Sequence, residues 1–250
     1  MTLAGHQVLI TGGGTGAGAD LARGFAGAGA RVVITGRRAE PLNAVAARIT
    51  ATGGDIRAIA ADVTDEASVR AMFAEAGPCD IVIANAGAAG SAPFGKITLA
   101  DWNAMLAVNL TGVFLTFREG LAQMPGRGRL IAVASNAGLH GYAYVAAYTA
   151  AKHGTVGLVR ALAQEVARSD VTVNALCPGF LDTEMTERSI ANIMEKTGRD
   201  RAQAVAALTA HNPQRRLIAP AEVTAAALWL CGAGSDGVNG QAIAINGGEP

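Results

Sequence analysis

The chain has only three cysteines, Cys79, Cys177 and Cys231, far apart and odd in number. They match no zinc or redox spacing, so each is expected as a small buried hydrophobe. Charge of one sign is also lacking. Twenty basic and 20 acidic side chains leave a formal net charge of zero, which argues against a nucleic-acid partner and gives no reason to expect a membrane surface. No apolar run reaches the roughly 18 residues that a bilayer-spanning helix needs. The opening "MTLAGHQVLITGGG" has no basic segment ahead of its apolar stretch, and His6 and Gln7 interrupt it, so it does not read as a signal peptide. No His, Cys, Asp or Glu grouping has metal-ligand spacing. Nor does a Pro-, Ser- or charge-rich linker divide the sequence, and no repeat is visible. These absences leave a cytoplasmic, metal-free protein whose residues 1–250 form one domain.

What is present favours a large core. Half the residues are hydrophobic and 16% are charged, while the 32 glycines are spread without a collagen-like period. Short β-branched runs recur at 7–11, 31–35, 55–61, 80–84, 129–135, 171–176 and 241–245. Ala- and Leu-rich segments long enough for helices lie between most of them. Strands apolar on both faces, alternating with helices, predict a doubly wound, Rossmann-type parallel α/β sheet of about seven strands with helices on both faces. Gly29 is expected as a left-handed cap of the first helix, and "TDEAS" at 64–68 as a helix start. Residues 183–216 are the most charged part of the C-terminal half and break the rhythm. They read as a helical lid over one end of the sheet.

Three places carry chemistry. "TGGGTGAG", Thr11 to Gly18, follows the first strand and opens the first helix. Its glycines permit a tight turn and close approach of a pyrophosphate to a helix N-terminus, although the spacing is not G-x-G-x-x-G. The second strand ends in Gly36, Arg37 and Arg38, with no acid to take a ribose 2′-hydroxyl. An arginine there suits a 2′-phosphate, or it is simply a solvated face. "ADV" at 61–63 and "NAG" at 85–87 end two further strands, where ligands bind in open α/β sheets. For Asn85 to Gly87 a tight turn explains the residues equally well.

The third place is "YTAAK". Tyr148 and Lys152 stand four residues apart on a predicted helix, so they share a face, and Ser135 ends the strand before it. An ammonium beside a phenol favours the phenolate and lowers a pKa that is ordinarily about 10. With a serine to hold a carbonyl oxygen, the set suits proton transfer coupled to hydride transfer. His140, Tyr142 and Tyr144 are candidates for substrate contact in the loop after Ser135. His153 is expected to face away.

Taken in order, these motifs resemble the short-chain dehydrogenase/reductase family from about residue 5 onward. TGxxxGxG is met by Thr11, Gly12, Gly16 and Gly18; NAG by Asn85, Ala86 and Gly87; the family asparagine by Asn109. The Ser–Tyr–Lys set is met by Ser135, Tyr148 and Lys152, and the PG motif with its threonine by Pro178, Gly179 and Thr183. The resemblance implies an NAD(P)(H)-dependent interconversion of a secondary alcohol and a ketone. Tyr148 would be the acid/base and Ser135 would orient the carbonyl. Lys152 would bind the nicotinamide ribose and lower the Tyr148 pKa, and Asn109 would hold a relay water. Asp62 and Val63 would flank the adenine, while Thr183 and the backbone after Gly179, at Phe180, would hold the carboxamide. Thr15 stands where many NADP-dependent relatives carry a basic residue, yet Arg37 without an acid favours NADP(H), with NAD(H) the second choice. The lid resembles those of members acting on ketoacyl thioesters or polyketides. Arg199, Arg201, Arg215 and Arg216 would there meet a phosphate-bearing carrier, or else form an exposed charged helix. A homotetramer on helices near 100–124 and 146–168 and the last strand is implied as well. Two other classes remain: a dinucleotide sensor without catalysis, and an epimerase or dehydratase of an extended family.

Overall fold

The computed structural model describes residues 2–124 and 126–249. The strands are β1 (Gln7–Thr11), β2 (Arg31–Gly36), β3 (Ile56–Ala60), β4 (Ile81–Ala84), β5 (Gly128–Val133), β6 (Val171–Pro178) and β7 (Ala242–Ile245). They form one sheet in the order β3-β2-β1-β4-β5-β6-β7, and each neighbouring pair is parallel. Successive side chains on a strand point to opposite faces, and here both faces are apolar. Leu9, Val33, Val82, Leu130 and Val173 face one layer, built by α3 (Glu66–Ala76), α5 (Gly112–Gln123) and α6 (Ala146–Glu165) through Phe73, Phe117 and Val159. Val8, Ile10, Ile34, Ile83 and Ile131 face the other. There α1 (Gly16–Gly27), α2 (Ala39–Ala51) and α9 (Pro220–Cys231) supply Leu21, Phe25, Val45, Val223 and Leu230. The three cysteines are buried and unpaired. Among the described residues no helix is long and apolar enough to cross a membrane.

Strand β1 pairs with β2 on one side and β4 on the other, so the chain reverses direction across the sheet between β1 and β4. The loops leaving these two strands diverge to opposite faces and open a crevice at their C-terminal ends. Glycine makes the crevice close-fitting. A Cβ on Gly18 would lie 2.1 Å from the Gly12 carbonyl oxygen and 2.6 Å from Asn85 Nδ2. Gly18→Ala is therefore expected to push α1 off the loop, destabilising the fold by about 1–3 kcal/mol. A thermal melt checks this; an unchanged midpoint would mean the loop relaxes freely.

Three expectations are corrected. The helix near 100–124 is not continuous: α4 (Leu99–Leu106) passes through a π-helical turn, Ala107–Thr111, before α5 begins. The wider turn rotates Asn109 inward, and such turns often mark functional positions. Ser135 does not end a strand. Strand β5 stops at Val133, and Ser135 caps the short 3₁₀ turn Asn136–Gly138. Strands β3 and β4 stop at Ala60 and Ala84, which leaves Asp62 and the Asn85–Gly87 motif in the loops beyond them. Residues 183–216 include α7 (Glu184–Thr197) and α8 (Arg201–Leu208). The segment leaves and returns at one point, where Leu181 bridges Ile218 in parallel and Ile218 N–H donates to Phe180 O at 2.9 Å.

Candidate active site

The floor of the crevice is a stitched pair of loops. Thr11 is buried, and its Oγ1 accepts the N–H groups of Asn85 and Ala86 at 3.0 Å each. Asn85 Nδ2 returns to Thr11 O at 2.9 Å and Gly12 O at 3.3 Å. The Asn85 amide is thus occupied by the Gly-rich loop, and Thr11, the first residue of its motif, is the other half of the clasp. Gly12 has φ +68°, and a Cβ there would sit 2.9 Å from Ala86 Cα. Only glycine suits both the left-handed backbone and the close approach. Gly16, at φ +51°, faces Thr183, whose Cγ2 would lie 3.3 Å from an added Cβ. Thr183 therefore stands over the loop. Thr15 begins α1 with an extended backbone and makes no side-chain cap, so the first N–H groups of α1 keep no partner from that side chain. A cradle this free of side chains, at a helix N-terminus, fits a pyrophosphate.

At the β2 edge, Arg37 is exposed and close enough to Asp62 to act on it. The Asp62 carboxylate lies below its ordinary pKa chiefly because it accepts the Thr64 N–H at 2.9 Å; the Thr64 hydroxyl, at 2.8 Å, and the Arg37 charge add to this against partial burial. Asp62 and Arg37 therefore share the edge expected to hold the adenosine half of a dinucleotide. Val63 is buried, its side chain within 2.8 Å of where Gly112 would carry a Cβ.

Beyond β4 the loop meets the π turn. Asn109 is fully buried; its Nδ2 donates to Ala88 O at 2.9 Å and Met105 O at 3.1 Å, and its Oδ1 accepts Ala88 N–H at 3.3 Å. Its main-chain carbonyl accepts the Thr155 hydroxyl at 2.8 Å. The side chain is thus a clasp between the π turn and the loop. A Cβ on Gly87 would lie 2.8 Å from Asn109 Oδ1 and 3.8 Å from Lys152 Nζ, which brings Gly87, Asn109 and Lys152 together.

Tyr148 lies in the first turn of α6, with the Ser135 side chain near enough to act on its phenol; Ser135 Oγ accepts Ala137 N–H at 3.1 Å. Lys152, one turn on and 3% exposed, donates to Val133 O at 2.9 Å, with its Nζ 5.6 Å from the Tyr148 ring centre. The three expected residues are brought together. Their titration differs from expectation. Burial pushes the Tyr148 phenol above its ordinary value; the Ser135 side chain partly offsets this and neighbouring Cys177 adds slightly to the rise. Burial also pulls Lys152 down to about 8 and lifts Cys177 to about 11. In the protein alone, desolvation sets the direction, so the predicted lowering of Tyr148 is not found. The phenol is protonated at neutral pH, the state a proton donor needs.

The remaining candidates divide. His153 is exposed, its Nδ1 3.0 Å from Thr149 O, and points away as expected. Tyr144 has φ +68°, a strained backbone for an aromatic residue, with its carbonyl held by Ala92 N–H at 2.8 Å and its ring 66% exposed. Of the lid arginines, Arg201 pairs with Glu187, Arg216 forks onto Glu222 at 2.6 and 2.9 Å, and Arg215 donates to Ala210 O at 2.7 Å. The first and last of these bonds hold the segment's own structure, and Arg216 ties its end to α9.

A parallel sheet with its chain reversal at a glycine cradle, and a Ser–Tyr–Lys cluster at the neighbouring strand ends, define a dinucleotide-dependent oxidoreductase of the Rossmann class. A family model described as short chain dehydrogenase matches residues 6–193. Gluconate 5-dehydrogenase of Gluconobacter oxydans is 32% identical, with 99% of this chain and 95% of that protein covered. The 3-oxoacyl-acyl-carrier-protein reductase of Aquifex aeolicus is also 32% identical, with 98% of each covered. Among solved structures, an actinorhodin polyketide ketoreductase variant with NADPH superposes with a TM-score of 0.90 at 32% identity, over 97% of this chain and 96% of that one. The chain belongs to the short-chain dehydrogenase family. It is an NAD(P)-dependent oxidoreductase acting on CH–OH and keto groups, which sets aside the sensor and epimerase readings.

Proposed function

We propose that this protein is a ketoreductase, with NADP(H) favoured over NAD(H), working on ketones of the 3-ketoacyl or polyketide kind. The observation that carries the reading is the Ser135–Tyr148–Lys152 cluster, with a protonated phenol beside a serine hydroxyl. A nicotinamide cofactor held here would supply the hydride for the carbonyl carbon. The Ser135 hydroxyl donates to the carbonyl oxygen and fixes it beside the phenol, which gives that oxygen its proton. In the reverse direction the phenolate takes the proton back, so alcohol oxidation gains with rising pH while ketone reduction loses only in alkali. Lys152 would reach the ribose hydroxyls, the stitched loops of Gly12 to Gly18 and Asn85 to Gly87 the pyrophosphate side, and Pro178 to Thr183 the carboxamide. The relay water implied for Asn109 remains part of this proposal.

Apolar residues stand exposed at this end of the molecule, Phe94 at 78% and Phe180 at 43% among them, and suit a ketone with a hydrocarbon chain. A homotetramer is supported by Phe114 on α5 and Trp229 on α9, both large and exposed. Three buried thiols fit a reducing, cytoplasmic setting. The cofactor preference rests on Arg37 following Gly36. Charge-assisted hydrogen bonds to a 2′-phosphate are worth roughly 1.5–3 kcal/mol, or about 10- to 100-fold. The test measures reduced-cofactor consumption with a panel of ketones, comparing kcat/KM for NADPH and NADH in wild type and Arg37→Ala. NADPH is expected to lose about 10- to 100-fold in the variant and NADH little. Equal losses, or a wild type preferring NADH, would leave Arg37 a solvated arginine.

A further inference from the structure

The loop following Ser135 is closed into a ring by residues more than a hundred positions away. Asn136, 2% exposed, donates from Nδ2 to the Tyr142 hydroxyl at 2.6 Å, and Tyr142 donates to Glu249 Oε1 at 2.5 Å. Asn246 Nδ2 donates to both Asn136 Oδ1 and the Glu249 carbonyl, at 2.9 Å each, which completes the circuit. The turn that closes the ring touches the other walls of the site. Asn246 Cα lies 3.4 Å from where Gly179 would carry a Cβ, and Gly247, at φ +71°, sits directly against the Asn212 amide at the end of the lid segment.

We propose that Glu249 is a positioning residue for the reaction: through Tyr142 it holds the Asn136–Tyr142 loop, and with it the face of the cleft that receives the ketone beside Ser135. The role rests on the assignment of Ser135 and Tyr148 to the chemistry. Three physical points support it. Three successive bonds point one way, from Asn246 to Asn136 to Tyr142 to the Glu249 carboxylate, so each polarises the next, while the second Asn246 Nδ2 bond, to the Glu249 carbonyl, ties the two ends together. Burial, with the Glu249 carboxylate added to it, lifts the Tyr142 phenol well above its ordinary range, so it remains a donor throughout the working pH. The Asn136 amide has both ends engaged and cannot contact substrate without breaking the ring. Its own contribution is therefore to shape the loop. The Glu249 side chain is partly buried and its bond to Tyr142 is side chain to side chain, so it can be removed while the main-chain bond from Asn246 survives.

The experiment compares Glu249→Ala, Glu249→Gln, Tyr142→Phe and the Glu249→Ala/Tyr142→Phe double variant, with Tyr148→Phe run alongside. Glu249→Ala should raise KM for the ketone about tenfold while leaving KM for the cofactor unchanged, as expected for one lost hydrogen bond to a charged group. Glu249→Gln keeps an acceptor oxygen and should recover most of that loss. Tyr142→Phe should match Glu249→Ala and serves if the alanine variant folds poorly; the double variant should cost no more than either single one. An unchanged ketone KM in Glu249→Ala, additive losses in the double variant, or equal rises in both KM values would each overturn the positioning role. Such a result with Tyr148→Phe inactive leaves the proposed chemistry standing, whereas an active Tyr148→Phe removes the basis for both.

Discussion

Tyr148→Phe is expected to lower turnover by about 10²–10⁴-fold, the usual worth of a positioned general acid. The ring keeps its packing, and Lys152 keeps its bond to Val133 O at 2.9 Å, so cofactor affinity should stay near the wild-type value. Loss in kcat and kcat/KM together, without a change in cofactor binding, is the pattern of an interaction made only in the transition state. Stability is measured alongside. Removing the hydroxyl leaves Ser135 Oγ still accepting Ala137 N–H at 3.1 Å. The variant is expected to melt no lower than wild type. A variant that turned over at more than a tenth of the wild-type rate with normal cofactor binding would move the proton donor elsewhere.

Lys152→Met should separate stability from function. Burial holds this ammonium at about 8 against an ordinary 10.5, so carrying its charge costs the folded chain roughly 3 kcal/mol. Part of that figure is offset, because methionine leaves Val133 O without its donor, at about 1–3 kcal/mol. The net expectation at pH 7 without cofactor is a variant at least as stable as wild type, by up to about 2 kcal/mol. The pH dependence fixes the origin. Below pH 8 both folded and unfolded wild type carry the proton, and the full cost is present. Between pH 8 and 10.5 the unfolded chain holds more protons than the folded one, so wild-type stability rises with pH and the advantage of the variant shrinks. Meanwhile cofactor affinity should fall about 10- to 100-fold with the loss of charge-assisted bonds to the ribose. Denaturant titrations at several pH values, with cofactor binding measured in parallel, check both halves. A less stable variant, or one whose advantage does not change with pH, would show that the ammonium is solvated in the folded protein.

The strands were legible because parallel pairing buries both faces, so "QVLIT" and "DIVIA" announce themselves as continuous apolar runs. The glycine cradle and the Tyr148–Lys152 spacing were legible for a related reason: turn geometry and helical periodicity are local. What escaped was set by contacts between distant residues. The π turn at Ala107–Thr111 has no marker in "AVNLT"; it exists because Asn109 bonds Ala88 across the crevice. The Asn85 amide was an open choice between turn and ligand until Thr11, 74 positions earlier, was seen to share it. Spacing placed the phenol and ammonium together correctly, yet it carried no information about how much water reaches them. The direction of the Tyr148 shift therefore came out reversed.

The bridge between Leu181 and Ile218 holds the two ends of the intervening stretch side by side. That stretch lies outside the seven-stranded sheet, and its ties to the site are Thr183 over the glycine loop and Asn212 against Gly247. A chimaera carrying another member's segment at that junction should inherit the donor's substrate range while keeping the host's cofactor. That outcome would mean that new specificity can arise by editing one loop-sized insertion, with the reaction itself held constant.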